Sequence, residues 1–342
     1  MTQAPGANTY DLAIIGGGPT GLFATFYAGL RGMRTVLFDA LPELGGQLAV
    51  LYPEKYIYDV PGFPKVMARD LVKRLVEQAL QFDPTIRLEE QVTNLAPSSD
   101  KSFTLSTTGG NYSARAVLIA AGVGAFAPNR LNAPGIARLE GKGVIYFVRS
   151  KADLAGKRLL IVGGGDSAVD WALNLQDTAR SITLIHRRDQ FRAHENSVRE
   201  LYASKTELKL FYELREVHGE NSVEAVTIVN NQTGAEEHLP MDAVLLTLGF
   251  KADMGPIKNW GITLEKRSLR VNSSMETSMP GVFAAGDIVG GDVKLDLIVV
   301  GFGQAAVAVN AAKTFIDPKA RLFPGHSSEM TGGIKRGGEG AL

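Results

Sequence analysis

The chain has 342 residues, of which 45% are hydrophobic, and its formal net charge is +0. This length fits two domains better than one, and zero net charge argues against a general binder of nucleic acid or of anionic membranes. The sequence has no cysteine, which excludes disulfides, thiolate metal sites, cysteine-ligated iron–sulfur clusters and any dithiol relay within this chain. No apolar run approaches the roughly 20 residues of a membrane span, and the N-terminus lacks a signal-peptide pattern, so the expected location is cytoplasmic.

Residues 11–39, DLAIIGGGPTGLFATFYAGLRGMRTVLFD, have the order of a dinucleotide-binding unit: strand, glycine loop, helix, strand and acid. The apolar run at 12–15 predicts a buried strand. Three glycines follow it at GxGxxG spacing: Gly16, Gly18 and Gly21. They allow a tight turn, a close approach of pyrophosphate to the backbone, and close packing of the helix that begins at Pro19. Asp39 closes the second strand, where a carboxylate can accept hydrogen bonds from an adenosine ribose.

The pattern recurs in RLLIVGGGDSAVDWALNLQDTARSITLIHRR. Its loop positions, in the order of the first copy, are Gly163, Gly165 and Ala168. The offset between the loops carries Asp39 onto His186, which Arg187 and Arg188 follow. A carboxylate would repel a 2′-phosphate, whereas guanidinium groups bind one in bidentate geometry, so this unit is predicted to prefer NADP to NAD. Arg192 can join the cluster, and a solvated charge run at a strand end is the alternative.

The helix of the second copy begins with Asp166 and Ser167, which are candidate cofactor-binding positions beside the loop. A carboxylate next to a pyrophosphate is unfavourable because the two charges repel. We therefore expect the side chain of Asp166 to point away from the ligand.

Two glycine-containing segments, AGVGAFAPN and VLLTLGF, bracket the second copy. We therefore predict that residues 125–250 form one dinucleotide-binding domain inserted into another, which is built from residues 1–124 and 251–342. Two linkers would let the inserted domain rotate as a rigid body. The predicted fold class is α/β, with two Rossmann-like three-layer domains.

Residues 41–65 are rich in glycine, proline and aromatic residues and show no helical or strand period. Long segments of this kind are more often functional than filler. Gly46 lets a ligand approach the backbone, Gln47 supplies an amide, and Tyr52 offers a flat face for a ring, although ordinary packing is the alternative for the tyrosine.

Further candidates lie on predicted elements of the first domain. Helical spacing predicts a helix at 67–82, and short alternating runs predict an antiparallel meander at 91–119. Val92 lies where a returning strand can touch an adenine, with a core role as the alternative. Asp287 follows a short buried strand in AAGDI, where open α/β sheets bind ligands, and the apolar helix predicted at 297–315 would direct its N-terminus at the same ligand.

Together, GGGPTG with its downstream acid, GGQL, GGGDSA with HRRDQFR, and AAGDI resemble the thioredoxin-reductase branch of the two-dinucleotide flavoprotein reductases. The resemblance implies FAD on the first unit and NADPH on the second. Thioredoxin reductases carry a Cys-x-x-Cys pair just before the second glycine loop, and here that region is GVIYFVRSKADLAGK. LYPEKYIYDVPGFPK and HSSEM are instead similar to the thioredoxin-reductase-like ferredoxin–NADP reductases, which lack the dithiol.

The same resemblance implies roles for individual residues. Tyr52 would stack on one face of the isoalloxazine, and His326 would cover the other face from the partner subunit of a homodimer. The remaining positions that match flavin contacts of the family are Thr20, Asp39, Gln47, Val92, Phe126, Asp287 and Ser328.

The implied activity is hydride exchange between NADPH and FAD, followed by single-electron exchange with ferredoxin or flavodoxin. Two alternatives stay open: an NADPH-dependent quinone or diaphorase-type flavin reductase, and a non-catalytic flavin redox sensor. An acidic ferredoxin would need a local basic patch on this neutral chain, for which Lys313, Lys319 and Arg321 are the predicted members. The physiological acceptor and the direction of electron flow stay open.

Overall fold

The computed structural model describes residues 9–291 and 294–326. The chain divides into two compact units. The first unit comprises residues up to Ala125 and from Ala252 onward, and the second comprises Phe126–Lys251.

The helices and strands follow one another along the chain in three blocks. The first block contains β1 (Thr9–Ile15), α1 (Pro19–Leu30), β2 (Thr35–Phe38), α2 (Gln47–Val50), β3 (Tyr56–Ile57), β4 (Val66–Met67), α3 (Ala68–Ala79), β5 (Thr85–Arg87), β6 (Val92–Pro97), β7 (Phe103–Thr107) and β8 (Asn111–Ile119). The middle block contains β9 (Ala125–Pro128), α4 (Ile136–Leu139), β10 (Val144–Ile145), β11 (Arg158–Val162), α5 (Asp166–Asn174), β12 (Ser181–His186), α6 (Glu195–Tyr202), β13 (Glu207–Leu210), β14 (Tyr212–His218), β15 (Ala225–Asn230), β16 (Glu236–Pro240), β17 (Ala243–Leu246) and β18 (Phe250–Asp253). The last block contains β19 (Leu264–Glu265), β20 (Ser268–Leu269), β21 (Val282–Ala284) and α7 (Ile298–Ile316), and short 3₁₀ turns lie at Leu80–Phe82, Lys151–Leu154 and Gly255–Asn259.

The main sheet of the first unit has the strand order β5-β2-β1-β8-β7-β6, and β21 also pairs with β8. Strands β5, β2, β1, β8 and β21 are parallel, whereas β6, β7 and β8 form the antiparallel meander that the alternating runs predicted. The parallel strands end beside one another, so the loops after β1, β2, β8 and β21 meet at a single edge. This edge carries the first candidate site.

Side chains of β1 alternate between two apolar clusters, one on each face of the main sheet. Leu12 and Ile14 pack under α1 and α7, whereas Ala13 and Ile15 face an apolar cluster on the opposite side that includes Trp260. Successive side chains of a strand point to opposite faces, so a run that is apolar throughout is covered on both sides. The result is a sheet between two apolar layers.

Helix α7 is, among the described residues, the single helix long and apolar enough by length and composition to cross a membrane. This corrects the expectation that no such run exists. The helix packs on α1 and the sheet through small side chains such as Ala305, Ala308 and Ala312, and Phe302 meets Phe23 with ring centroids 5.1 Å apart. These contacts are those of a core helix, whose small residues let the helices approach closely.

The second unit is built on a parallel sheet with the order β10-β17-β11-β12-β13. Leu159 and Ile161 pack against α5, whereas Leu160 and Val162 face an antiparallel sheet of β14, β15 and β16. The two faces of the parallel sheet are therefore covered by different kinds of element.

One ion pair ties the starts of β11 and β17 together. Asp242 accepts three hydrogen bonds from Arg158, from its backbone N at 2.8 Å, Nε at 3.0 Å and Nη2 at 2.6 Å. These bonds lower the pKa of Asp242 to about 2. Since the pKa is lower in the folded state than the ordinary value of about 3.9, the carboxylate stabilises the fold above about pH 4, and this contribution disappears as the pH falls toward 2.

We expect Asp242→Asn to lower the unfolding free energy of the second unit by about 1 kcal/mol at pH 7, because the pair is about one-third exposed. The difference from the parent should shrink toward zero between pH 4 and pH 2. Urea unfolding followed by Trp171 fluorescence in a Trp260→Phe background measures it, with the exposed Asp177→Asn as control. A difference that stays constant down to pH 2 would contradict the assigned charge effect.

Candidate functional site

In the glycine loop of the first unit, the glycines that pack against neighbouring backbone have no room for a side chain. A Cβ at Gly21 would overlap the carbonyl oxygen of Gly16, and a Cβ at Gly16, whose φ is +110°, would overlap the backbone of Ala120. A Cβ at Gly18 would meet nothing within 4 Å, whereas one at Gly46 would lie 3.0 Å from the Cα of Gly18. The loop therefore forms a cradle with open space above Gly18, which has the shape that a pyrophosphate requires.

Asp39 lies at the rim of this cradle, with its carboxylate already fixed. Oδ2 accepts a hydrogen bond from the backbone N of Gly17 at 2.6 Å, and Oδ1 accepts one from Leu41 at 2.8 Å. Burial raises the pKa of Asp39, and hydrogen bonds from the Leu41 and Gly17 backbones oppose the rise. Each carboxylate oxygen has a second lone pair, so the group can accept ribose hydroxyls without moving.

The loop after β21 and the start of α7 form another wall of the first site. A Cβ at Gly301 would overlap Oγ1 of Thr20, and Gly286 donates its N–H to Oε1 of Gln304 at 2.8 Å. The turn that carries Asp287 is thereby fixed between α1 and the N-terminal end of α7. Burial raises the pKa of Asp287, Asp296 raises it further, and Lys294 opposes the rise.

Gln47 begins α2 directly after Gly46, and Tyr52 follows the end of this short helix. Tyr52 packs, half-buried, on an apolar cluster of the first unit, and burial first, then the charges of Asp287 and Asp59, raises its pKa to about 12. A Cβ at Gly122 would lie 3.4 Å from Nε2 of Gln47, so the amide meets the loop that follows β8.

The remaining predicted residues of the first site are buried in the core, exposed near the C-terminus, or outside the described residues. Val92 is 4% exposed and packs in the apolar cluster that contains Trp260. His326 is exposed, and its ring meets that of Phe323 edge-on at 5.3 Å. Ser328 and the side chain of Phe126 lie outside the described residues.

The second glycine loop is held from two sides. Val162 O accepts hydrogen bonds from both N and Oγ1 of Thr247, each at 2.9 Å, and a Cβ at Gly163 would overlap Thr247. On the other side, Arg192 donates its backbone N–H to Gly164 O at 2.7 Å. Thr247 is a site residue that the sequence analysis missed, although its segment was singled out for its glycine.

Asp166 and Ser167 are both exposed at the start of α5, whereas Ala168 is fully buried beneath the helix. Oδ1 of Asp166 accepts a hydrogen bond from the backbone N of His194 at 3.0 Å. The carboxylate is thus directed toward the loop before α6, which it helps to hold.

His186 fills the place above Gly164 that the Asp39 carboxylate fills above Gly17. A Cβ at Gly164 would overlap its ring, which stacks on Phe191 at 5.3 Å, and Nε2 lies 3.1 Å from Gln190 O. Burial lowers the pKa of His186 and the neighbouring arginines lower it further, while the contact with Gln190 O opposes them. The imidazole is therefore neutral near pH 7 and acts as a flat platform rather than as a cation.

A cavity of about 520 Å³ opens beside this platform. Its lining includes the second glycine loop, His186, Arg187, Arg188, Arg192, Tyr212, Thr247 and Gly249. The three arginines are exposed, and in the part of the chain that the structure describes none of them has an ion-pair partner. Unpaired guanidinium groups beside a cavity of ligand size favour a polyanionic ligand.

Among the described residues, no group of three or more His, Asp or Glu side chains could hold a metal ion. The two glycine loops have the shape and charge of sites for dinucleotide cofactors. Two glycine-loop units, one with an acid and one with a basic cluster at the equivalent position, define a reductase of the two-dinucleotide class.

Comparison with known proteins agrees with this class. Residues 10–312 match the family model described as pyridine nucleotide-disulphide oxidoreductase, and the chain belongs to this family. It is 54% identical over 325 residues to the ferredoxin–NADP reductase of Sulfurisphaera tokodaii, covering 94% of this chain and 98% of that one. It is 56% identical over 328 residues to the ferredoxin–NADP reductase of Thermus thermophilus, with the same two coverages.

Among solved structures, the thioredoxin reductase of Lactococcus lactis in its FR conformation is similar with a TM-score of 0.76 and 26% identity, over 90% of this chain and 99% of that one. The thioredoxin reductase of T. acidophilum shares the fold with a TM-score of 0.77 at 24% identity, over 90% of this chain and 98% of that one. The predicted resemblance, the α/β fold class of Rossmann-like units and the oxidoreductase activity are confirmed. FAD and NADPH, the predicted cofactors, are confirmed with them, and the cradle above Gly18 and the arginine-lined cavity fit two dinucleotides.

Proposed function

We propose that this chain exchanges electrons between NADPH and a single-electron carrier, ferredoxin or flavodoxin, with FAD held by the first unit and NADPH by the second. The supporting observation is the contrast between the two glycine loops. The carboxylate of Asp39 packs on Gly17 of the first loop, whereas the imidazole of His186 packs on Gly164 of the second, beside a cavity that Arg187 and Arg188 line. The reaction is NADPH plus two oxidised carriers to NADP⁺, one proton and two reduced carriers. Bound FAD supplies the conversion between two-electron and one-electron transfer.

The side chains of the first site support this use of the flavin. Asp39 would hold the ribose of FAD, and Asp287 a hydroxyl of the chain that joins the rings to the phosphates. The N-terminal end of α7 faces Thr20 and Gly286 and favours negative charge on a reduced flavin. Tyr52, whose pKa of about 12 keeps the phenol neutral, supplies a flat uncharged face for the rings.

The second site is proposed to bind NADPH through complementary parts. The neutral ring of His186 would support the adenosine, and Arg187, Arg188 and Arg192 would bind the 2′-phosphate. Gly163 and Gly165 would let the pyrophosphate approach the start of α5. Without a cysteine in the chain, electrons cannot leave through a dithiol, which favours direct transfer to a carrier protein.

We further propose a homodimer in which the C-terminal tail of one copy covers the flavin of the other. Arg31, which caps α1 at the end away from the glycine loop, donates from Nη2 to Arg321 O at 2.7 Å and from Nη1 to Leu322 O at 3.1 Å. This anchor lies about 18 Å from the loop along α1, and four extended residues span at most about 14 Å. His326 is therefore better placed to reach a second copy than its own site, as the resemblance implies.

We also propose a cytoplasmic location for the protein, because NADPH is a cytoplasmic reductant.

Replacing Arg31 should release the chain that follows α7, which it holds through Arg321 and Leu322. Arg31 also donates to Oδ1 of Asn310, so Arg31→Ala deletes several charged hydrogen bonds, and local opening of the tail should increase about tenfold. Trypsin cleavage after Lys319 and Arg321, followed by mass spectrometry, measures the opening at unchanged FAD content. The exposed Arg270→Ala serves as control, and equal cleavage rates in the two variants would show that Arg31 does not hold the tail.

The decisive experiment is anaerobic steady-state oxidation of NADPH with three classes of acceptor. We expect rapid turnover with ferredoxin or flavodoxin. Turnover with a quinone or dye alone would overturn the proposal in favour of a diaphorase-type reductase. Slow turnover with every acceptor would favour a redox sensor.

A further inference from the structure

Two exposed tyrosines stand on a hairpin close to Tyr52. Tyr56 is 43% exposed and Tyr58 is 69% exposed, although large aromatic side chains are usually more buried than this. Tyr56 lies on β3, which pairs with β4 opposite Met67, and Nζ of Lys65 lies 4.8 Å from the centroid of its ring. The hairpin thus presents aromatic faces together with a cation, a combination that is enriched at protein interfaces.

Backbone hydrogen bonds join this hairpin and α3 to the segment that carries Tyr52. Arg69 donates its N–H to Pro53 O at 3.0 Å, and Ala68 donates to Lys55 O at 2.9 Å. Beneath them, the Tyr52 ring packs on the same apolar cluster as the buried side chains of the hairpin and α3. A protein bound to this surface would therefore lie against the segment that supports the flavin ring.

Residues 54–77, which contain the hairpin and most of α3, carry five basic and four acidic side chains, an excess of one positive charge. Lys65 and Lys73 are exposed, and in the described part of the chain neither has a carboxylate partner. Lys73 follows Arg69 by one helical turn, and Arg69 is paired with Glu54 at 2.7 Å. Exposed acids lie here as well: Asp59 on the hairpin, and Asp70 and Glu77 on α3. We define the hairpin surface by its outward-facing members: Tyr56, Tyr58, Lys65, Arg69 and Lys73.

The basic patch expected from the sequence lies elsewhere. Lys313 is twelve residues beyond Gly301 on α7, about 18 Å along the helix from the end that meets Thr20. Lys319 and Arg321 follow the C-terminal end of the same helix. The hairpin surface, by contrast, is joined to the segment that carries Tyr52 by the backbone hydrogen bonds of Arg69 and Ala68.

We propose that the hairpin surface is the docking site for the carrier, a small acidic iron–sulfur protein of the ferredoxin kind. The assignment rests on the proposed function and adds the surface through which it operates. Lysines without carboxylate partners attract an acidic partner during encounter, and the exposed tyrosines supply contact area at low entropic cost. The carrier accepts one electron per encounter, so two encounters match the two electrons of one NADPH.

Charge reversal tests the surface. Lys65→Glu with Lys73→Glu should raise the KM for ferredoxin about tenfold at low salt and flatten its dependence on ionic strength. Ferricyanide, which is small and needs no docking surface, should be reduced within about twofold of the parent rate. Tyr58→Ser should raise the ferredoxin KM as well, but with an unchanged salt dependence.

The matched controls are Lys101→Glu with Lys205→Glu, which are exposed lysines outside the surface, and Lys319→Glu with Arg321→Glu. Binding of oxidised ferredoxin is measured by titration calorimetry alongside turnover. If the Lys319 and Arg321 variant loses ferredoxin and the hairpin variant does not, the docking assignment is overturned. If the parent binds and reduces no ferredoxin yet reduces dyes, the proposed function itself fails.

Discussion

Replacing Arg187 and Arg188 together by glutamine should weaken NADPH binding about a hundredfold and leave NADH binding within about threefold. Both guanidinium groups line the cavity beside His186, and neither has an ion-pair partner among the described residues. Hydrogen bonds between charged groups contribute about 1.5–3 kcal/mol each, and exposure of these arginines to solvent reduces their sum to about 3 kcal/mol. That free energy corresponds to about two orders of magnitude in affinity.

The loss should appear only where the ligand carries a 2′-phosphate. Calorimetric titration with 2′,5′-ADP and with AMP isolates this group, because the two ligands share the adenosine and differ at one position. Lys205→Gln, an exposed lysine of the same unit, removes one positive charge without touching the cavity. If both coenzymes weaken equally, the 2′-phosphate is not bound by these arginines.

The sequence was sufficient where a local pattern determines structure. The glycine loops, α1 and β2 follow from apolar period and steric need, and α7 was predicted to within one residue at each end. The meander of β6, β7 and β8 followed from alternation. These elements are encoded by residues that are close together along the chain.

The segment between Asp39 and α3 contains short elements that no local sequence pattern predicts. Its short helix α2 and the hairpin of β3 and β4 have no period long enough to detect, and they are fixed by tertiary contacts such as that of Val72 with Gly45. Strand β5 was missed for the same reason, since three residues gain their conformation by pairing with β2. Tyr56, Tyr58 and Lys65 of the surface that we assign to docking lie in this undetected part, whereas Arg69 and Lys73 lie on the predicted helix α3.

The candidate site divides in the same way. The register of the repeat predicts that His186 is equivalent to Asp39. The structure shows in addition that each side chain packs on the middle glycine of its loop, Gly164 and Gly17 respectively. The contacts of Thr20 with Gly301 and of Gly286 with Gln304 join distant segments, so no local pattern predicts them. The cofactor roles of Val92, Ser328 and Phe126 stay predictions.

Two glycine substitutions separate the packing role of the first loop from its ligand-binding role. In Gly21→Ala the new Cβ overlaps the carbonyl oxygen of Gly16, so α1 must move away from β1. A backbone clash of this kind cannot be relieved by a rotamer change, and we expect a loss of more than about 3 kcal/mol of stability together with loss of FAD. In Gly18→Ala the Cβ meets no protein atom within 4 Å, and the φ of −71° suits alanine.

Gly18→Ala should therefore leave the FAD-free protein as stable as the parent, or up to about 1 kcal/mol more stable because the unfolded chain loses freedom. Its FAD affinity should fall at least about tenfold, since the methyl group occupies the space above the loop that the pyrophosphate requires. Thermal unfolding of the FAD-free proteins and fluorimetric FAD titration measure the two effects. Gly303→Ala, whose Cβ also meets nothing within 4 Å but which lies on α7, is the matched control. Unchanged FAD affinity in Gly18→Ala would mean that the open space above the first loop is not where the pyrophosphate binds.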